Sequence, residues 1–255
     1  MRYVVLCPPR SGSTLLMSAL GAHPGAAHCM EPFNPDLAGD APHDVWRRGT
    51  VAALFGPKDA WFDAAGYFDG ARQPLEKLAA AVFDRFAGAK ILWDQVRAAS
   101  PVWDVLAALP DLRVIVLHRN PVDCAASFRA ALDSNVWHVP AGEAAPAPEP
   151  LRFEPGYFAW FFDWFCAPER PIRARLANRP QLEVAYERLV ADWAVEIARI
   201  GDFLGLEGPT PPMAFERLGS GSLRDRIPDL ETIAAAYADH PDLAAAFADV
   251  IRRPA

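Results

Sequence analysis

The chain has no excess of positive charge. Its 25 Lys and Arg are outnumbered by 32 Asp and Glu, for a net charge of −7. That balance excludes general binding to nucleic acid or to another strongly anionic polymer. Cysteine is scarce: Cys7, Cys29, Cys124 and Cys166 lie far apart, with no pair at metal-ligand spacing. They read as reduced thiols of the cytoplasm, not as a disulfide frame or a zinc site. The six histidines show no metal spacing either, so no metal is expected. No apolar run approaches the ~20 residues of a membrane span, which argues against an integral membrane protein. The short N-terminal run breaks at Pro8-Pro9, too early for a signal peptide, and the cytoplasm is the default location. Internal repeats are absent. So is a Walker A loop, which needs a second Gly followed by Lys and Ser/Thr; around Gly12 there is one Gly, and the cation, Arg10, precedes it.

What is present is a large apolar fraction, 52% of 255 residues, enough for the core of one α/β domain spanning 1–255. Short apolar runs at Arg2–Cys7, Ala26–Met30, Lys90–Trp93, Arg113–His118 and Leu182–Ala185 lack alternation, as strands buried on both faces do. Helical patterns separate them at Thr14–Leu20, Pro74–Phe86, Pro101–Leu109, Pro121–Leu132, Gly156–Phe165 and Arg188–Leu204. A C-terminal pair follows around Glu231–Tyr237 and Asp242–Arg252. Alternating strands and helices predict a P-loop-like three-layer sandwich, a central parallel sheet flanked by helices. Two stretches look irregular. Asp36–Asp63 reads as loops with a short helix. Asp133–Pro150 reads as an insertion, either a lid or binding loop or a plain surface loop.

Two segments have the chemistry of anion sites. In the first, the strand ending at Cys7 runs into Pro8-Pro9-Arg10-Ser11-Gly12-Ser13-Thr14 and then a helix, so backbone amides and the helix dipole face a ligand beside one cation. In the second, the strand ending at His118 is followed by Arg119, by Asn120 as an N-cap and by Pro121 at the first helical position. Ser127 lies two turns into that helix on the side of the cap, within reach of the same ligand as Arg119. Arg119 paired with a carboxylate and Ser127 as an incidental small residue is the alternative. The strand ends in His118-Arg119, whereas a P-loop kinase needs a carboxylate there to help hold Mg²⁺. A site that holds anions with protein cations suits transfer of a sulfuryl group.

Three segments resemble the sulfotransferases that use 3′-phosphoadenosine 5′-phosphosulfate (PAPS). Pro9–Thr14 resembles their 5′-phosphosulfate loop. Val116 through Arg119 to Ser127 resembles their 3′-phosphate site. Val184–Leu189, followed by Ile200–Leu206, resembles their late strand, Tyr-Glu turn and a helix ending in Phe-Leu-Gly. Order and spacing agree from about Tyr3 to Leu206. The loop is more similar to bacterial and carbohydrate enzymes of the Nod-factor and trehalose type than to aryl types, which carry Lys where Arg10 stands and a Lys-Thr-His segment that this chain lacks. Gly88–Gln95 and His23–Pro35 resemble the same carbohydrate enzymes.

The resemblance implies transfer of SO₃ from PAPS to a hydroxyl of a carbohydrate, glycolipid or small-molecule acceptor, releasing PAP. Arg10 and the amides of Ser11, Gly12, Ser13 and Thr14 would hold the 5′-phosphosulfate, with Arg10 stabilising the leaving oxygen. Arg119 and Ser127 would hold the 3′-phosphate. Tyr186 would pack near the nucleotide or be a core tyrosine. Glu31, after the second strand, is the first choice of general base and Asp94, after the third, the second. Their alternatives are an N-capping or surface carboxylate. Residues 217–224, rich in Gly, Ser and Arg, would close over the donor. The aromatic cluster Phe153 to Phe165 reads as core or dimer contact, leaving a homodimer open, with Trp137 and His138 the better acceptor contacts. A nucleotide kinase, a phosphatase using Cys7 and a PAP-binding protein without catalysis are the rival readings. Arg10 comes three residues after Cys7, not the six a tyrosine phosphatase needs.

Overall fold

The computed structural model describes residues 1–35, 42–60, 68, 70–143, 149–215 and 222–253. Five strands form one parallel sheet: β1 (Arg2–Cys7), β2 (His28–Met30), β3 (Gly88–Leu92), β4 (Leu112–His118) and β5 (Gln181–Ala185), in the order β2-β3-β1-β4-β5. Every expected strand occurs, with ends displaced by one or two residues. Tyr3, Val4, Val5, Leu6 and Cys7 are all fully buried, which is why β1 shows no polar alternation.

Alternate residues of β1 face two separate cores. Val4 and Leu6 meet the helices α2 (Pro42–Phe55), α3 (Arg72–Arg85), α4 (Val102–Ala108) and α7 (Glu169–Arg175). Tyr3, Val5 and Cys7 meet α1 (Ser13–Gly21), α8 (Tyr186–Ala191) and α9 (Trp193–Leu204). The result is the expected three-layer α/β sandwich. A third apolar cluster joins α5 (Pro121–Ser134) and α6 (Tyr157–Phe165) to α11 (Leu230–Ala236) and α12 (Pro241–Arg252), the C-terminal pair.

Three sequence expectations need correction. The stretch 36–63, read as loops and a short helix, contains the 14-residue α2. Gly49 in its middle and a weak apolar stripe hide it; tertiary contacts of Val51, Leu54 and Phe55 stabilise it. The single helix Arg188–Leu204 is two, α8 and α9, broken at Asp192, whose ψ of 47° is non-helical. Helix α7 and the one-turn α10 (Leu223–Arg226) were not foreseen. Of the 217–224 segment, residues 217–221 lie outside the described residues, as do 144–148 of the 133–150 insertion. The insertion is otherwise shorter than expected, since α5 runs on to Ser134 and ends with Asn135 in the left-handed conformation.

The chain builds β1, β2 and β3 on one side of the sheet and then crosses β1 to place β4. This reversal of strand order opens a crevice at the carboxyl ends of β1 and β4.

Candidate active site

The crevice has a volume of about 1060 Å³ and its lining includes Arg10, Gly12, Ser13, Thr14, Glu31, Lys90, Asp94, Arg119, Ser127 and Tyr186. It therefore gathers nine of the ten residues that the sequence reading selected as functional. The tenth, Ser11, is fully buried and is not part of the lining.

The β1–α1 loop owes its shape to two residues in the left-handed region, Arg10 at φ 63° and Gly12 at φ 85°. A Cβ on Gly12 would stand 2.4 Å from Cδ2 of Tyr186, so both the backbone angle and the close ring demand glycine. No side chain caps α1 and its first turn holds no acidic residue. The first amides of the helix are left for an anion.

Arg119 follows β4 and reaches back to that loop. Its Nη1 donates to the carbonyl of Arg10 at 2.7 Å, and its Cζ lies 4.3 Å from the ring centroid of Tyr186, a cation–π contact. Nε of Arg119 is buried without a hydrogen-bond partner among the described residues. Arg10 donates through Nε to Ser127 Oγ at 3.2 Å and through Nη1 to the carbonyl of Trp137 at 2.6 Å. Burial and the neighbouring charge of Arg119 push the Arg10 guanidinium down to about 10, which still leaves it charged at neutral pH. Among the described residues neither guanidinium forms an ion pair with a carboxylate. Ser127 lies two turns into α5, which Asn120 caps through Oδ1, accepting from Val122 N at 2.9 Å, with Pro121 at the first turn.

On the other flank, Glu31 leaves β2 with φ 54°. The register of β2 on β3 pairs Met30 with Lys90, which brings Lys90 Nζ to 2.7 Å from Glu31 Oε1. Asn34 Nδ2 and Gln95 Nε2 each donate to Oε2 at 2.8 Å. Arg47, buried on α2, donates to the backbone carbonyls of Met30 at 3.1 Å and Glu31 at 2.5 Å and so braces the strained residue. Burial alone raises the Glu31 carboxyl. The Lys90 charge and the bonds from Lys90, Asn34 and Gln95 outweigh it and hold the group below its ordinary value. Glu31 is thus an ionised carboxylate in a prearranged cluster, not the weakly acidic group a strong base would need.

Sequence reasoning missed Lys90 and Arg47 as members of this site. A signal existed for Lys90: a lysine inside an apolar strand is rarely buried without an acidic partner. For Arg47 there was none, since α2 itself went unrecognised. The ring of His118, next to Arg119 in sequence, faces two carboxylates. Its Nδ1 lies 3.4 Å from Glu169 Oε2 and its Nε2 3.8 Å from Glu183 Oε2. The aromatic cluster is divided: Phe158, Phe161 and Phe165 are core, whereas Trp164, with Phe165, lines the crevice. All four cysteines are free, and burial pushes the Cys7 thiol up to about 11. It is not a thiolate nucleophile at neutral pH.

A family model described as "Sulfotransferase family" matches residues 3–210 of this chain. The chain belongs to the sulfotransferase family. The match contains the β1–α1 loop, the Arg119–Ser127 segment and the Tyr186 turn of this sulfotransferase. Comparison with curated proteins finds no match. Among solved structures, the sulfotransferase from Alicyclobacillus acidocaldarius is 15% identical, with 99% of this chain and 96% of that chain covered at a TM-score of 0.50. The sulfotransferase domain from the Synechococcus PCC 7002 olefin synthase is 20% identical over 100% and 95% of the two chains, at 0.47. At 15% identity the likeness to the first of these concerns the fold.

Proposed function

We propose that this sulfotransferase moves the SO₃ group of PAPS to a hydroxyl of a carbohydrate, glycolipid or small-molecule acceptor and releases PAP. The observation that carries the reading is the pair of guanidiniums, Arg10 and Arg119, set in one crevice with no carboxylate among the described residues to neutralise them. Two repelling cations are costly to hold together and become favourable once an anion lies between them. Arg119 Nε is a buried donor awaiting an acceptor oxygen.

In this reading Arg10 and the amides of residues 11–14 hold the 5′-phosphosulfate. Arg119 and Ser127 hold the 3′-phosphate, and Tyr186 supports both the loop and Arg119. The acceptor oxygen forms a bond to sulfur as the bond from sulfur to the phosphate oxygen breaks. PAP departs with that electron pair, its growing charge met by Arg10. The acceptor proton goes to Glu31, with Asp94, which lines the same flank, the second candidate. Glu31 is already ionised and so in the accepting form. Its weak basicity is tolerable where the transition state is loose and catalysis is chiefly positioning. Lys90, 2.7 Å from Glu31, places a further cation beside the transferring group.

Calorimetric titration with PAP and with ADP tests the reading. PAP is expected to bind without added metal and more tightly than ADP, because only PAP fills the 3′-phosphate site. Equal affinity, or an ADP preference that needs Mg²⁺, would return the chain to the nucleotide kinases.

A further inference from the structure

Beyond its two charged flanks the crevice has a wall of rings, which Arg10 borders with its Cζ 5.7 Å from the Trp137 ring centroid. Phe128 of α5, Trp137 of the segment after it, Trp164 and Phe165 of α6, and Met213 and Phe215 before α10 all line it. Trp137 is 39% exposed, Trp164 43% and Met213 42%, whereas Phe161 of the same helix α6 is fully buried. Exposed apolar groups inside a concave site are surface that a ligand can cover. The wall is already built. Phe128 packs on Trp137 and Phe165 with ring centroids 5.8 and 5.3 Å apart. Residues 140 and 215 form an antiparallel bridge, and Ala141 N donates to the carbonyl of Ala214 at 3.0 Å.

Three of the polar side chains that line the crevice are committed. Lys90, Asn34 and Gln95 all serve Glu31. The His138 ring lies 5.7 Å from that of Phe215 and is neutral at physiological pH. Burial and the charges of Arg10 and Lys90 push it down to about 4, against the opposing charge of Glu31. A ligand with hydroxyls around its whole perimeter would surrender hydrogen bonds to water at this wall and find few in return. A ligand with one hydroxyl and an apolar body would lose little and cover the rings.

We infer that the acceptor is a hydroxylated molecule with an aromatic or alkyl body. Its hydroxyl meets Glu31 and His138, and its body lies against Trp137, Trp164 and Phe215. The inference rests on the sulfuryl-transfer reading of this crevice and narrows its acceptor to an apolar alcohol or phenol, or to the lipid-bearing end of a glycolipid, rather than a free sugar.

The test uses the full chain saturated with PAP, titrated calorimetrically with 2-naphthol, 1-octanol, glucose and trehalose, and PAPS turnover with the same four. Binding and sulfation of 2-naphthol and 1-octanol, with the sugars weaker by about tenfold or more, is the expected result. Trp164→Ala should raise Kd and KM for 2-naphthol by about tenfold or more with PAP affinity unchanged, and Trp164→Phe should restore most of the loss. The inference is overturned if glucose or trehalose is bound or sulfated as well as the apolar alcohols, or if neither alcohol binds. It is equally overturned if Trp164→Ala leaves 2-naphthol binding untouched. A protein that binds PAP but prefers sugars loses only the acceptor assignment, whereas one that does not bind PAP loses the sulfuryl-transfer reading and this inference with it.

Discussion

At the scale of single residues, the site depends on charges that offset one another on one flank and do not on the other. Glu31 and Lys90 neutralise each other; Arg10 and Arg119 do not. Glu31→Gln is expected to slow turnover about 10²–10⁴-fold and to leave PAP affinity unchanged, since PAP is assigned to the opposite flank. Retained turnover would move the proton to Asp94 or elsewhere. The same substitution tests the linkage. Because the native Glu31 carboxyl titrates below its ordinary value of 4.5, its contribution to stability is complete above that value. It is lost as pH falls through the lower native one. Urea titrations from about pH 5 downward should show a shallower acid-side loss of stability for Glu31→Gln than for the parent. At neutral pH the variant should be less stable, because Lys90 is left buried without its anion.

At the scale of elements, the β1–α1 loop is shaped as much by α8 as by its own sequence. Tyr186, the first residue of α8, fills the space a side chain on Gly12 would need and also faces Arg119. Gly12→Ala therefore combines a left-handed backbone, which costs an L-residue ~1–2 kcal/mol, with displacement of the ring that supports Arg119. The expected outcome is a lower Tm with unchanged far-UV circular dichroism, and PAP affinity reduced by far more than the loss of stability accounts for. A Gly12→Ala protein that binds PAP like the parent would show that the Tyr186 contact does not position the donor site. The segment after α5 is tied to the same loop, through the bond from Arg10 to the Trp137 carbonyl. The insertion that the sequence left open between lid and surface loop thus contributes a wall of the crevice.

At the scale of the whole molecule, the crevice lies at the carboxyl ends of the strands, and its walls come from β3, α1, α5, α6, α8 and the loops that follow β1, β2, β3 and β4. A ligand filling it engages the native state alone. PAP at a hundred times its Kd should then add about 2.7 kcal/mol of stability, an increase in Tm of about 5–10 °C for a chain of this size. Differential scanning fluorimetry with PAP and with ADP at matched concentrations reads this directly. No shift with PAP would contradict a donor site in this crevice.

Several features were decided by the sequence alone. The five strands, the alternation with helices, the two Arg-bearing loops and the cap at Asn120 each rest on neighbours within one turn or one strand, where local sterics and hydrogen bonding suffice. The pairing of Glu31 with Lys90, the bracing by Arg47, the contact of Tyr186 with Gly12 and the split of α6 into core and crevice wall were not legible. These contacts join residues tens of positions apart, and strand order and register decide which of them meet. Hydrophobic burial of β1 between β3 and β4 brings Arg10 and Arg119 together, and the β2–β3 register sets Lys90 against Glu31.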